Sequence, residues 1–478
     1  MNCALRVIPH LSQRANRMAV WTTRDGILTF AELGRMMASA QALAHDDGLK
    51  AGDTALILDT PGPRLYAGIL GMMGLGVAVV FVEPWLPVAD IERVIARVAP
   101  KVFYGSLLAR VWGARLREMR RIPRWRSIRC IGKREPTSPF IAADVDAESP
   151  GVITFTSGTT GTPKGIVRSH RYLAVTQDIL TQGGAREQFD APDLCIFPNL
   201  TLLHVGTGRG AVLVSTDWSA KALQRITELP VVLQPQSLSC GPAFLRRLST
   251  LAAGAPMMRS LKSINVGGAQ TDCAIMERGM ELWPDADWTH VYGGTEVEPV
   301  TFGDARESVK RSRERGYFQL LHLGRPIPQL RTENSAQGMW VSGPNVAPMY
   351  LDDHPDNKTM KRVDAEDRLW HCTGDRIECD ADGWWYGGRA SQPRQEFELE
   401  QRVYAHFRSS ASFVRRSAGD GQLTLFGERL PTGAAAVAFQ RSFPAILELR
   451  EARIVRDRRH RARIDRRSTL KKAGYLDA

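Results

Sequence analysis

The chain has 478 residues, 43% hydrophobic and 24% charged, an ordinary globular composition too long for one hydrophobic core, so two or three subdomains are expected. No long apolar run is present and Met1 to Arg6 lacks the apolar region of a secretion signal, so a cytoplasmic protein that is not an integral membrane protein is expected. Seven cysteines without CxxC or Cys/His spacing argue against a disulfide framework and a zinc site, and the net charge of +12 sits mainly in Arg110 to Arg134 and Arg456 to Lys472, with no nucleic-acid-binding pattern.

Thr29-Phe30-Ala31-Glu32 has the form of a capping box, and Leu33, Met36, Met37, Ala40 and Leu43 follow at helical spacing up to Gly48. Thr54 to Asp59 and Val77 to Val82 suit buried parallel strands, and with the small-residue helix Tyr66 to Gly76 between them they predict a β-α-β unit. Arg110 to Arg134 reads as helix and loop with a solvated basic face.

Val152 to Phe155 reads as a buried strand, and the next ten residues are nearly all Gly, Ser, Thr or Pro, ending in Pro163-Lys164-Gly165. Glycines admit close backbone approach, hydroxyls add donors and Lys164 adds charge, so the loop can wrap an anion. It is not the P-loop pattern, because Pro163 stands where that motif has Gly. A helix over Arg168 to Leu180 and strands at Leu194 to Pro198 and Ala211 to Ser215 follow, predicting a second α/β subdomain. Ser263 to Val266 is a strand ending in the turn Gly267-Gly268-Ala269. Trp288 to Tyr292 is the next strand, delivering Gly293 to Glu296 at its carboxyl end, where open α/β sheets bind ligands. From Gly338 the pattern changes to short strands, and Trp384-Trp385-Tyr386 reads as core packing.

Four stretches in this order carry a resemblance: Thr156 to Gly165, Tyr292-Gly293-Gly294-Thr295-Glu296, Thr373-Gly374-Asp375 and Gly388-Arg389. They resemble the ordered motifs of the adenylate-forming superfamily, which includes acyl-CoA synthetases, nonribosomal adenylation domains and luciferases. The resemblance implies an α/β fold. A large N-terminal domain over 1–389, of two α/β subdomains and a small β subdomain, would be followed by a small mobile α+β domain over 390–478. It also implies activation of a small-molecule carboxylic acid with ATP and Mg²⁺, and CoA or an acyl carrier protein as a partner. Thr156, Ser157, Gly158, Thr159, Thr160, Gly161 and Lys164 would grip phosphates, Thr295 the α-phosphate and Glu296 the metal. Tyr292, Gly293 and Gly294, with Gly267, Gly268 and Ala269, would enclose the adenine, Asp375 would accept the ribose hydroxyls and Arg389 would support them. The acyl pocket would include Gly268, Gly206 and His204; a lone His is about as often structural.

The resemblance departs at the C-terminus, where Arg463 stands at the position of the family's catalytic lysine, within Arg459-His460-Arg461-Ala462-Arg463-Ile464-Asp465-Arg466. Arginine keeps the charge as a planar fork instead of a point charge on a flexible stem. Val297-Glu298-Pro299-Val300 after Glu296, Leu369-Trp370-His371 before Thr373, and His460 to Ile464 look more like the olefin β-lactone synthetases. Three readings stay open: an adenylating enzyme that passes the acyl group to the substrate's own 3-hydroxyl, a ligase delivering it to CoA, a carrier thiol or an amine, and a nucleotide-binding scaffold without turnover.

Overall fold

The computed structural model describes residues 1–83, 85–156, 164–183, 190–214, 217–254, 258–348, 350–351, 354–417, 421–457 and 464–475. The capping box forms: the Thr29 backbone N–H donates to Glu32 Oε2 at 2.8 Å and the Glu32 N–H to Thr29 Oγ1 at 3.3 Å. It opens the helix Phe30–Asp46, whose apolar face is buried. The β-α-β unit follows as strand Thr54–Leu58, helix Pro63–Gly74 and strand Ala78–Phe81.

These strands sit in a six-stranded sheet ordered Arg124–Ser127, Val102–Gly105, Thr54–Leu58, Ala78–Phe81, Pro150–Thr156, Lys164–Ser169. Its neighbours are parallel except for the last pair, where Thr156 stands opposite Lys164. The basic stretch read as helix and loop therefore also supplies an edge strand, Arg124–Ser127. Its charge is locally matched: the carboxylate of Asp47, fully buried, takes the Arg126 guanidinium at 2.6 Å and the Tyr104 hydroxyl at 2.8 Å, and Arg134 bonds Asp46 at 2.9 Å.

A second sheet has eleven strands. Gly26–Thr29 lies antiparallel at one edge, and the parallel part runs Met18–Thr22, Ala211–Leu213, Asp193–Cys195, Ser237–Cys240, Ser263–Gly267 and Asp287–Gly294. The antiparallel strands Val297–Asp304, His322–Pro326, Gly383–Arg389 and Asp375–Asp380 extend it. The helix expected from Arg168 begins at His170, because Arg168 and Ser169 complete the strand Lys164–Ser169. A four-stranded antiparallel sheet, Arg331–Ser335, Gly338–Ser342, Leu369–Cys372 and Lys361–Val363, forms the small β part. Trp384 and Trp385 are buried in packing, with the Arg315 guanidinium 3.6 Å from the Trp385 ring centroid. Beyond Pro393 come the helix Arg394–Phe407, the strands Ser412–Arg416 and Leu423–Gly427, the helix Gly433–Ser442, the strand Ile446–Glu451 and the helix Arg466–Lys472. The buried Glu400 ties these together, accepting from the Val414 N–H and from Arg466 Nη2 at 2.8 Å each.

Two buried histidines make the fold sensitive to acid. Burial, helped by the N-terminal amino group for His170 and by His322 for His290, pushes both imidazoles down to about 4 from 6.5. Between those values the unfolded chain takes up protons that the folded chain refuses, so stability is full above pH 6.5 and lost as pH falls towards 4. The melting temperature, followed by circular dichroism, should decline across this window, and less steeply in His290→Gln.

Candidate active site

Parallel strands of the long sheet share one carboxyl edge. There Ser263–Gly267 ends in Gly267, and a Cβ at that residue would stand 2.6 Å from the Val291 carbonyl oxygen, so the two backbones meet only because the residue is glycine. Gly268, at φ +81°, and Ala269 turn the chain away. The neighbouring strand Asp287–Gly294 ends in Tyr292, Gly293 and Gly294, and Thr295 and Glu296 make the turn into Val297–Asp304.

Asp375, distant in sequence, is brought to this edge by the pairing of Asp375–Asp380 with Gly383–Arg389. Its Oδ2 accepts the Tyr292 hydroxyl at 2.7 Å and its Oδ1 accepts Arg389 Nη1 at 2.7 Å. Gly374, at φ +68°, makes the bend that aims it. Burial, and then Asp375, push the Tyr292 phenol well up, so it stays a neutral donor. Burial works against charge on Arg389, but Asp375 outweighs it and holds the guanidinium above its ordinary value. A carboxylate offers about four lone-pair directions, so Asp375 keeps acceptor capacity for paired hydroxyls.

A second cluster surrounds Glu296. Its Oε1 accepts the Tyr350 hydroxyl at 2.9 Å. Both buried lysines approach the Tyr350 ring, Lys164 Nζ at 5.3 Å and Lys361 Nζ at 5.4 Å from the centroid. Lys361 also donates to the Ala347 carbonyl at 2.6 Å, and Lys164 is ion-paired with Asp356. Burial would raise the Glu296 carboxyl, but His371, Lys361, the Tyr350 hydroxyl and Lys164 more than offset this and hold it below its ordinary value. Burial, then Lys361, pushes His371 down to about 3, so the ring is neutral at pH 7. Burial, opposed by Glu296 and aided by Lys164, brings Lys361 down to about 7.

Sequence reasoning gave no role to Tyr350, Asp356 or Lys361, because the segment between the recognised motifs has no periodic or glycine-rich signal. His371 and Glu298 were visible only as neighbours of motif residues. Asn199 Nδ2 donates to both Glu298 oxygens at 3.2 Å, a pairing that no local pattern announces.

Thr156 ends its strand opposite Lys164. Ser157, Gly158, Thr159, Thr160, Gly161 and Arg463 lie outside the described residues. The structure does not bring His204 and Gly206 to this edge. His204 Nε2 lies 3.1 Å from Asp193 Oδ2, and Asp193 stands opposite Ser237, which stands opposite Ser263, the first residue of its strand. Gly267 is four residues further on, roughly 13 Å along the strand. The residues read as a connection form the helix Pro198–Gly206, which starts beside the carboxyl edge and runs back towards the amino end. Gly206 accordingly packs on Gln177, whose Nε2 donates to the Leu203 carbonyl at 2.8 Å.

A mostly parallel sheet that gathers an Asp–Tyr–Arg triangle and a lysine-flanked glutamate at its carboxyl edge defines a nucleotide-binding α/β enzyme. The chain belongs to the AMP-binding enzyme family, whose model matches residues 10–351. Among its relatives, an olefin beta-lactone synthetase of Xanthomonas campestris pv. campestris is 25% identical, over 89% of this chain and 84% of that protein. A 4-coumarate–CoA ligase-like protein of Arabidopsis thaliana is 24% identical, over 75% of this chain and 69% of that one. The fold is shared with an amide bond synthetase from Marinactinospora thermotolerans, at a TM-score of 0.79 and 18% identity over 98% of this chain and 99% of that one.

Tyr350→Phe removes the hydroxyl that Glu296 accepts and leaves the ring between the lysines. A hydrogen bond to a charged group contributes about 1.5–3 kcal/mol, and urea denaturation should show a loss of that order with the native circular dichroism spectrum kept.

Proposed function

We propose that the chain activates an organic carboxylic acid, fatty or 3-hydroxy, with ATP and Mg²⁺ as an acyl-adenylate, releasing pyrophosphate. The observation that carries this reading is the Tyr292–Asp375–Arg389 triangle, a carboxylate fixed by donors yet with lone pairs left for a diol, beside the Glu296 cluster. In the proposed step a carboxylate oxygen of the acid bonds the α-phosphorus while the bond to pyrophosphate breaks, and pyrophosphate leaves with the electron pair. The difficulty is electrostatic, since two anions must meet, and fixed positive charge answers it.

Lys164, with Thr156, Ser157, Gly158, Thr159, Thr160 and Gly161, takes the β- and γ-phosphates in this reading, and Thr295 the α-phosphate. Tyr292 and Gly267 to Ala269 flank the adenine, and Asp375 and Arg389 hold the ribose. The donor chemistry of Glu296 fits Mg²⁺, a hard cation that takes oxygen ligands: Tyr350 occupies Oε1, and Oε2 has no hydrogen-bond partner among the described residues. Bound there, the metal would neutralise phosphate charge. Residues 390–478 form the small domain that brings Arg463 to the α-phosphate after the domain 1–389 has bound nucleotide.

The acceptor that best fits is the substrate's own 3-hydroxyl, giving a β-lactone, because the relative named a beta-lactone synthetase aligns with more of this chain than the CoA ligase-like one does. Transfer to CoA, a carrier thiol or an amine is the competing outcome.

Pyrophosphate release across a panel of acids, with and without CoA, followed by mass spectrometry of the products, tests the reading; release with no acid would overturn it. Asp375→Asn should weaken ATP binding in calorimetry by about 1.5–3 kcal/mol, through loss of charge-assisted hydrogen bonds. Arg463→Ala should lose most pyrophosphate release while binding ATP as before, and Arg463→Lys should retain it, since a residue on a closing domain acts mainly in the transition state.

A further inference from the structure

We propose that Glu298, held by Asn199, is a specificity-determining carboxylate that receives a hydrogen-bond-donating group, a hydroxyl or an amine, on the molecule that shares the site with the acyl group. The proposal rests on the adenylation reading and adds the chemistry that the site selects.

The location follows from the sheet. Asn199 stands in the first turn of the helix Pro198–Gly206, just past the carboxyl end of Asp193–Cys195, and Glu298 comes two residues after Glu296. Their strands are four places apart, with Ser237–Cys240, Ser263–Gly267 and Asp287–Gly294 between them. At about 4.8 Å per neighbouring strand that is roughly 19 Å in a flat sheet. The Asn199–Glu298 bonds therefore reach across the stretch of carboxyl edge on which Gly267 and Tyr292 lie. Along that edge a Cβ on Gly241 would touch the Gly267 carbonyl oxygen and the Phe197 ring, each at 3.6 Å. Phe197, Gly241 and Gly267 are uncharged, so Glu298 brings charge to this stretch.

A negative charge here is a disadvantage for a reaction that assembles a carboxylate and a triphosphate, because like charges repel strongly at short range. Linking the strand ends does not require it: a neutral glutamine could accept the same amide N–H. Asn199 donates from one nitrogen to both oxygens at 3.2 Å, which leaves lone pairs on each oxygen. A held acceptor with lone pairs to spare suits a donor on the substrate. The hydroxyl of a 3-hydroxy acid and the nitrogen of an external amine both supply one; an unsubstituted fatty chain does not.

Calorimetry on the full chain saturated with AMP tests this without turnover. One arm compares 3-hydroxydecanoate with decanoate, and the other adds hexylamine to protein loaded with decanoate, each in wild type, Glu298→Gln and Glu298→Leu of unchanged melting temperature. The expected result is that a wild-type preference of about tenfold or more for 3-hydroxydecanoate, or the wild-type hexylamine affinity, falls about tenfold or more in both variants. The responding arm names the donor's source. Preferences within about twofold across wild type and both variants, in both arms, would overturn the proposal. Pyrophosphate release by wild type with the same acids judges the adenylation reading separately, since the binding ratios do not depend on it.

Discussion

The carboxylate of Glu296 is half-buried, where a negative charge is costly, and its surroundings answer that cost. The chain meets it with a hydrogen-bond donor, the Tyr350 hydroxyl, and two lysines, Lys164 from the six-stranded sheet and Lys361 from the small β part. The arrangement requires the hairpin Asp287–Gly294 and Val297–Asp304 to present its turn beside the start of Lys164–Ser169. The antiparallel bridges Ile166 to Tyr350 and Val297 to Val346 fix that meeting. The sheets are thus joined at the site, and the charge balance there belongs to the tertiary structure.

Much of this was legible before any coordinates. The capping box at Thr29, the β-α-β unit and the strands ending at Gly267 and Tyr292 are local statements, and short-range sequence expresses them well. Asp375 was legible through its motif, although its bond to Tyr292 spans 83 positions that no local pattern connects. The place of His204 was not legible, because a helix beginning beside the carboxyl edge carries its last turn to the opposite end, and direction along a sheet is a property of pairing. Asp356 was invisible because a buried ion pair, here with Lys164, needs both partners in view, and Lys361 because its contacts, the Ala347 carbonyl and the Tyr350 ring, follow no local pattern.

The basic excess has a similarly local explanation. Several arginines of the stretch from Arg110 to Arg134 meet acids of the same subdomain, Arg126 on Asp47, Arg134 on Asp46 and Arg121 on Glu118. Near the C-terminus Arg466 is anchored on Glu400. These pairings turn part of a formal charge into internal bracing.

The ion pair between Lys164 and Asp356 gives the site the character of an exchanger. Under the proposed function, an anion reaching Lys164 would displace a carboxylate that the chain already supplies, and the gain would be a difference between two pairings. Such an exchange would respond weakly to ionic strength compared with capture by a bare cation, because like would be traded for like. Asp356 would then be the natural reporter of occupancy, since the displaced carboxylate must find new company.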